Sequence, residues 1–148
     1  MDILVKVSGS LIKDEKFYNW IPPKVSLSDD LSVIVGGGDA ITKVLKEKGI
    51  PYYFGPQGRE ISSPEGRRLA LEVLIAEKVI VESKLKDKGI NATVFIPVIE
   101  IGDKILHMNG DSYALALYPS FDKIYIVTLK GRIKSFPKNL DKLEVVYL

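Results

Sequence analysis

Ile3-Leu4-Val5-Lys6-Val7-Ser8-Gly9-Ser10 and Leu31-Ser32-Val33-Ile34-Val35-Gly36-Gly37-Gly38-Asp39 decide how this chain is read. Each is a short apolar run that ends in glycine. A continuous run of Val, Ile and Leu is the pattern of a parallel strand buried on both faces. Glycines after such a strand make a tight turn and leave backbone N–H groups bare beyond its carboxyl end. A helix start beyond them adds a partial positive charge. Two such places, the second ending at Asp39, suit a doubly liganded site that joins a phosphate donor to an anionic acceptor. Glycine in a strand-to-helix turn is also ordinary turn chemistry, and neither turn fits the dinucleotide fingerprint or the Walker A pattern. Gly36-Gly37-Gly38 says more, because three glycines in a row weaken helix and strand alike.

Working outward from these strands, Asp39 to Lys48 reads as a helix, with Ile41, Val44 and Leu45 on one face and Gly49 as its stop. Ile50 to Phe54 reads as a short strand and Gly55 to Ser62 as a loop. Ser63-Pro64 opens the longest helix, as N-cap and first helical residue. Its apolar residues continue to about Asp87, and Gly89 ends it. Residues 92–101 are β-rich, with a turn at Gly102-Asp103-Lys104. Asp111 or Ser112 starts a helix that Pro119 ends. Lys123 to Thr128 is another buried strand and Leu143 to Leu148 a last one. Residues 11–30 mix polar and aromatic groups, with Pro22-Pro23 breaking any helix. Strands alternating with helices predict an α/β fold with a mainly parallel sheet.

The chain has 148 residues, 46% of them hydrophobic and 27% charged, which suits one domain with a real core. Lys and Arg number 21 against 19 Asp and Glu, interspersed rather than blocked, so nothing points to nucleic acid. There is no cysteine and a single histidine, His107, which excludes disulfides, thiolate or multi-histidine metal sites and a cysteine nucleophile. No apolar run reaches the roughly 20 residues that span a membrane, and the N-terminus runs directly into a strand. The expectation is a soluble cytoplasmic protein. Abundant Lys, Glu and Ile without Cys also suit a thermophile.

In combination, five stretches in order resemble the amino acid kinase family, which includes acetylglutamate, aspartate, uridylate and isopentenyl phosphate kinases. They are Val5-Lys6-Val7-Ser8-Gly9-Ser10-Leu11; Val33 to Ile41 with its triple glycine; Gly58-Arg59-Glu60-Ile61-Ser62 with the long helix that follows; Ile96-Pro97-Val98-Ile99 with Met108-Asn109-Gly110-Asp111-Ser112; and Ile124 to Gly131. The resemblance implies a three-layer αβα sandwich over residues 1–148, shortened in the middle and in the C-terminal nucleotide-binding part. It implies ATP as donor, with Mg²⁺ held mainly through nucleotide phosphates and no dedicated metal ligands, and an anionic small molecule as acceptor.

Residue by residue, the resemblance implies that Lys6 neutralises charge on the transferring phosphoryl group and that Asp111 orients Lys6. Gly9, Ser10, Thr128 and Gly131 would serve the nucleotide phosphates. Gly36, Gly37, Gly38, Arg59 and Asn109 would serve the acceptor. Plainer readings stand beside these: Lys6 snorkelling to solvent, Arg59 as a loop residue, Asp111 as an N-cap, Asn109 as turn chemistry beside Gly110, and His107 as a satisfied histidine. Arg67 and Arg68 read as a solvated helix face, and Phe17, Tyr18 and Trp20 as core or partner surface. The chain departs from the family at Ser8, where glycine is frequent, and at Leu129, where an aspartate is expected after the threonine. Two functions follow: a small ATP-dependent kinase, or a non-catalytic relative that binds a nucleotide or anion and acts through a partner. The apolar residues on several faces of the long helix, and the family's own association, imply a homodimer. A complementing partner subunit would supply nucleotide contacts that the chain lacks.

Overall fold

The computed structural model describes residues 1–56 and 58–148. In chain order the elements are β1 (Asp2–Val7), α1 (Glu15–Trp20), β2 (Asp30–Val35), α2 (Gly38–Glu47), β3 (Tyr53–Gly55), β4 (Gly58–Glu60), α3 (Pro64–Asp87), β5 (Thr93–Phe95), β6 (Val98–Ile101), β7 (Lys104–His107), α4 (Gly110–Ala116), β8 (Lys123–Thr128) and β9 (Leu143–Tyr147).

β1 lies at the centre of a five-stranded sheet of order β5-β2-β1-β8-β9, and every neighbouring pair in it is parallel. Its apolar run fits that place, since a strand with partners on both edges and helices on both faces must be apolar throughout. Val7 is in register with Val35 on one side and Val127 on the other, so three strands end level. From β1 the chain builds outward through β2 to β5, then returns to the other side for β8 and β9. The direction of winding reverses between β1 and β8, and such a reversal leaves a crevice beyond the carboxyl ends of the strands.

Side chains alternate between the two faces of β1. Ile3, Val5 and Val7, with Leu31, Val33 and Val35, pack against Phe17 and Tyr18 of α1 and Val81 and Leu85 of α3. Leu4, Ile34, Ile124 and Ile126 pack against Ala114 of α4 on the opposite face. Helices therefore cover both sides of the sheet in three layers. A smaller cluster joins α2 to the first half of α3 through Ile41, Leu45, Ala70 and Leu74. Ser63 caps α3 by accepting the Gly66 N–H at 3.0 Å, and Gly89 follows its end at φ +72°.

Several boundaries differ from the sequence expectation. The strand expected at 50–54 and the loop expected at 55–62 are instead a hairpin: β3 pairs antiparallel with β4, Gly55 opposite Gly58. Gly58 takes φ +121°, which closes the turn; Gln57 lies outside the described residues. The β-rich stretch 92–101 divides near Pro97. β5 joins the main sheet, while β6 and β7 form their own antiparallel pair. α1 occupies part of the stretch expected to be irregular; the Asp14 carboxylate accepts the Lys16 N–H and Pro22-Pro23 follow its end. α4 starts at Gly110, with Asn109 rather than Asp111 as its N-cap: the Asn109 side chain accepts the Ser112 N–H at 3.1 Å.

Candidate functional site

Lys6 is the one charged residue of β1 beyond Asp2, and it lies on the α4 face one step before the strand ends. It is only 8% exposed. A buried ammonium without a partner would be very costly. Its Nζ stands 3.1 Å from Oδ1 of Asp111, in the first turn of α4. The second carboxylate oxygen, Oδ2, accepts a hydrogen bond from Lys134 Nζ at 2.6 Å. Burial pulls the Lys6 ammonium below its ordinary pKa, against the attraction of Asp111. Burial alone would raise the Asp111 carboxyl, but Lys6 and Lys134 outweigh it and hold the group below its usual range. Among the described residues, Oδ1 has no well-directed hydrogen-bond donor, so the Lys6 contact is an ion pair rather than an aligned bond. Gly110 makes room for it: a Cβ there would stand 2.7 Å from Lys6 Cε.

The two glycine turns meet beside Lys6. A Cβ on Gly9 would come within 2.7 Å of the Gly36 carbonyl oxygen, and one on Gly36 within 3.0 Å of the Val7 carbonyl oxygen. Glycine is thus required there for close approach of two backbones. A Cβ on Gly37 would press on Leu74 at 2.6 Å, whereas one on Gly38 would meet none of the described residues within 4 Å. The turns form the floor of a cavity of about 190 Å³ at the strand ends. Its wall includes Lys6, Gly9, Ser10, Gly36, Gly37, Gly38, Arg59 and Asn109, predicted from the sequence and brought together here. A second, more open cavity adjoins it, sharing Phe54, Gly58 and Asn109 and adding Asp111 and Lys134.

Arg59 does not sit as a free loop residue. Its Nη2 donates to the Gly38 carbonyl at 3.0 Å and to Thr42 Oγ1 at 2.7 Å, tying β4 to the start of α2. Tyr52 and Phe54 hold the guanidinium, with ring centres 5.1 and 5.0 Å away. Nε and Nη1 are buried and have no hydrogen-bond partner among the described residues, an uncompensated cost that anion oxygens would remove. His107 also borders the cavity, with Nε2 3.0 Å from the Arg67 carbonyl oxygen. That contact makes Nε2 the donor, and burial lowers the ring's pKa, so the imidazole is neutral at pH 7.

Two sequence candidates stand apart. Thr128 is fully buried within β8, its hydroxyl without a partner among the described residues, and it does not border either cavity. Gly131 lies in the following turn at φ +89°, also off the cavity walls. The residue after it takes the place at the wall. Arg132 donates from Nη1 to Ser8 Oγ and from Nη2 to Ser10 Oγ, each at 2.9 Å, and Nη2 lies 3.7 Å from Asp39. Ser10 in turn donates to the Asp39 carboxylate. Arg132, Lys134 and Asp39 were not sequence candidates. The pattern that marks the two cations is Arg132-Ile133-Lys134 after a buried strand, since an extended segment turns alternate side chains the same way.

No protein-family model matches the chain, and no curated protein matches it.

Proposed function

We propose that this chain is an amino acid kinase-like phosphotransferase that moves the γ-phosphoryl group of ATP to a phosphate or carboxylate of an anionic metabolite. The observation that carries this reading is the nearly buried Lys6 ammonium, paired with Asp111 and set between two interlocked glycine turns at the strand ends. Phosphoryl transfer asks a protein for positioning and charge stabilisation rather than covalent chemistry, and this cavity offers those two things.

The residues present fit the phosphates of a nucleotide. Close packing of the two glycine turns holds their backbones at the cavity floor, Gly38 has open space among the described residues where a side chain would stand, and the orphaned Nε and Nη1 of Arg59 call for acceptor oxygens. When bound, ATP supplies the phosphoryl group together with Mg²⁺ carried on its phosphates. Among the described residues, no three His, Asp or Glu side chains converge to hold a metal themselves. In this reading Lys6 balances the charge that spreads over the transferring group, and Asp111 holds Lys6 in line. Gly9 and Ser10 present N–H groups to donor phosphates. Gly36, Gly37, Gly38, Arg59 and Asn109 orient the acceptor.

The non-catalytic alternative draws on Thr128 and Gly131, which stand off the cavity and leave its nucleotide side lightly furnished. An assay for ADP release with a panel of phosphorylated and carboxylated acceptors separates the two. Acceptor-dependent ADP release, abolished in Lys6→Ala, supports the kinase. Anion binding without ADP release under any acceptor supports the binding subunit. The same reading takes the chain as a homodimer through α3, whose Ile75 and Val79 are exposed one helical turn apart.

A further inference from the structure

Residues 132–136 leave the turn after β8 without regular structure. Ile133 is 93% exposed, while Arg132, exposed itself, turns back to Ser8 and Ser10, and the half-buried Lys134 turns to Asp111. Arg132 reaches the first cavity and Lys134 the second, and the two cavities share a wall. One loop thus delivers two cations to the junction where Lys6 already stands.

The charges there do not balance. Asp111 is shared by Lys6 and Lys134, and Asp39 lies against Arg132. Arg59 has aromatic rings and neutral oxygens as its direct partners, with the Asp39 charge acting on it from further off. Four cations face two carboxylates, and His107 adds no charge at pH 7. Two positive charges are left over, and the cost falls on Arg59, whose Nε and Nη1 are buried without a partner among the described residues. A carboxylate ligand brings one negative charge and two oxygens. A phosphate monoester brings nearly two negative charges and three terminal oxygens. The donors on hand (an arginine fork, two ammonium groups and the second arginine) outnumber what two oxygens can accept.

We propose that Arg132 and Lys134 are ligand-binding residues that make this cavity selective for a phosphate monoester dianion over a carboxylate. This rests on reading the cavity as an anion site, as above, but does not require phosphoryl transfer. Arg132 supplies a planar fork above the Ser8–Ser10 turn, and Lys134 supplies a point charge on the far side of Asp111. The selectivity comes from charge, since the glycine floor itself accepts any anion.

Calorimetric titration with glycerol phosphate and with glycerate, probes of similar size, tests this without nucleotide. The wild type binds glycerol phosphate at least about tenfold more tightly, and that preference fades as pH falls through about 6, where the dianion takes up a proton and becomes a monoanion. Arg132→Gln and Lys134→Gln each weaken phosphate binding by about tenfold with little effect on glycerate, and Arg132→Lys recovers part of the loss. Unchanged melting temperatures for these variants exclude misfolding as the cause. A parallel titration with Mg·ATP separates the sources: if the variants weaken only ATP binding, the two residues serve a nucleotide and the proposal falls. Equal affinity for both probes, unchanged phosphate affinity in both glutamine variants, or no binding of either probe at millimolar concentration would also overturn it. Selective phosphate binding without ADP release would sink the kinase reading and leave this inference standing.

Discussion

Lys6, Asp111 and Lys134 form a chain of charges in which the middle member decides the other two. Removing Asp111 leaves one nearly buried ammonium and one half-buried ammonium facing each other without a counter-charge. Asp111→Asn should lower stability by about 2 kcal/mol in urea unfolding. The folded pKa of Asp111 lies below its unfolded value, so its contribution is present above the unfolded pKa and is lost as pH falls through the folded one. The wild type should therefore lose more stability on acidification than the Asn variant does. Gly110→Ala tests the position of Lys6 while Asp111 stays in place. The new Cβ would meet Lys6 Cε at 2.7 Å and push the ammonium off Asp111, while alanine in the first turn of a helix carries no propensity cost. Anion affinity should drop about tenfold, and the urea midpoint should fall as well, by less than in Asp111→Asn because Lys134 keeps its counter-charge. A variant that unfolds readily and keeps its affinity would contradict that account.

Among the elements, those with a clear period were legible in the sequence. β8 spans Lys123–Thr128 and α3 spans Pro64–Asp87, as the apolar pattern and the Ser63-Pro64 start imply. The β3–β4 hairpin was not legible, because three-residue strands are too short to show alternation and take their place from Arg59, Tyr52 and Phe54. α3 carries a further prediction in Glu77. It is 8% exposed, its Oε2 has no partner among the described residues, and burial raises its pKa despite the nearby charge of Lys13. A carboxyl whose folded pKa is raised binds its proton more tightly when folded. Its favourable contribution is complete below the unfolded pKa and disappears as pH rises through the folded pKa. Glu77→Gln should therefore stabilise the protein at pH 7 by about 1 kcal/mol and flatten that part of the pH–stability curve. An unfolding midpoint lowered at pH 7 would show that the charged form is favoured in the fold.

Across the whole molecule, the parallel sheet and the site's floor follow from local patterns, whereas the cationic wall follows from topology. Arg132 meets Ser8 across 124 positions of sequence because β8 returns to the side of β1. No local pattern around Ser8 records that meeting, which is why the floor of the site was legible and its roof was not. Thr128 shows the converse: a residue with a suitable type and place in sequence is buried inside its strand by the same return. Association belongs to this scale too. Among the described residues no helix is long and apolar enough to cross a membrane, and α3 shows Ile75 and Val79 at 47% and 58% exposure. Sedimentation at micromolar concentration should report a dimer, and Val79→Glu should return it to monomer; a wild-type monomer would remove the homodimer from the account. The central claim, that Lys6 and the paired glycine turns hold the phosphates of a nucleotide donor, is tested most directly by calorimetric titration with Mg·ATP of the wild type and Lys6→Ala. The account predicts saturable binding that the variant loses by at least about tenfold. No heat of binding at millimolar Mg·ATP, or equal affinity in the two proteins, would contradict it.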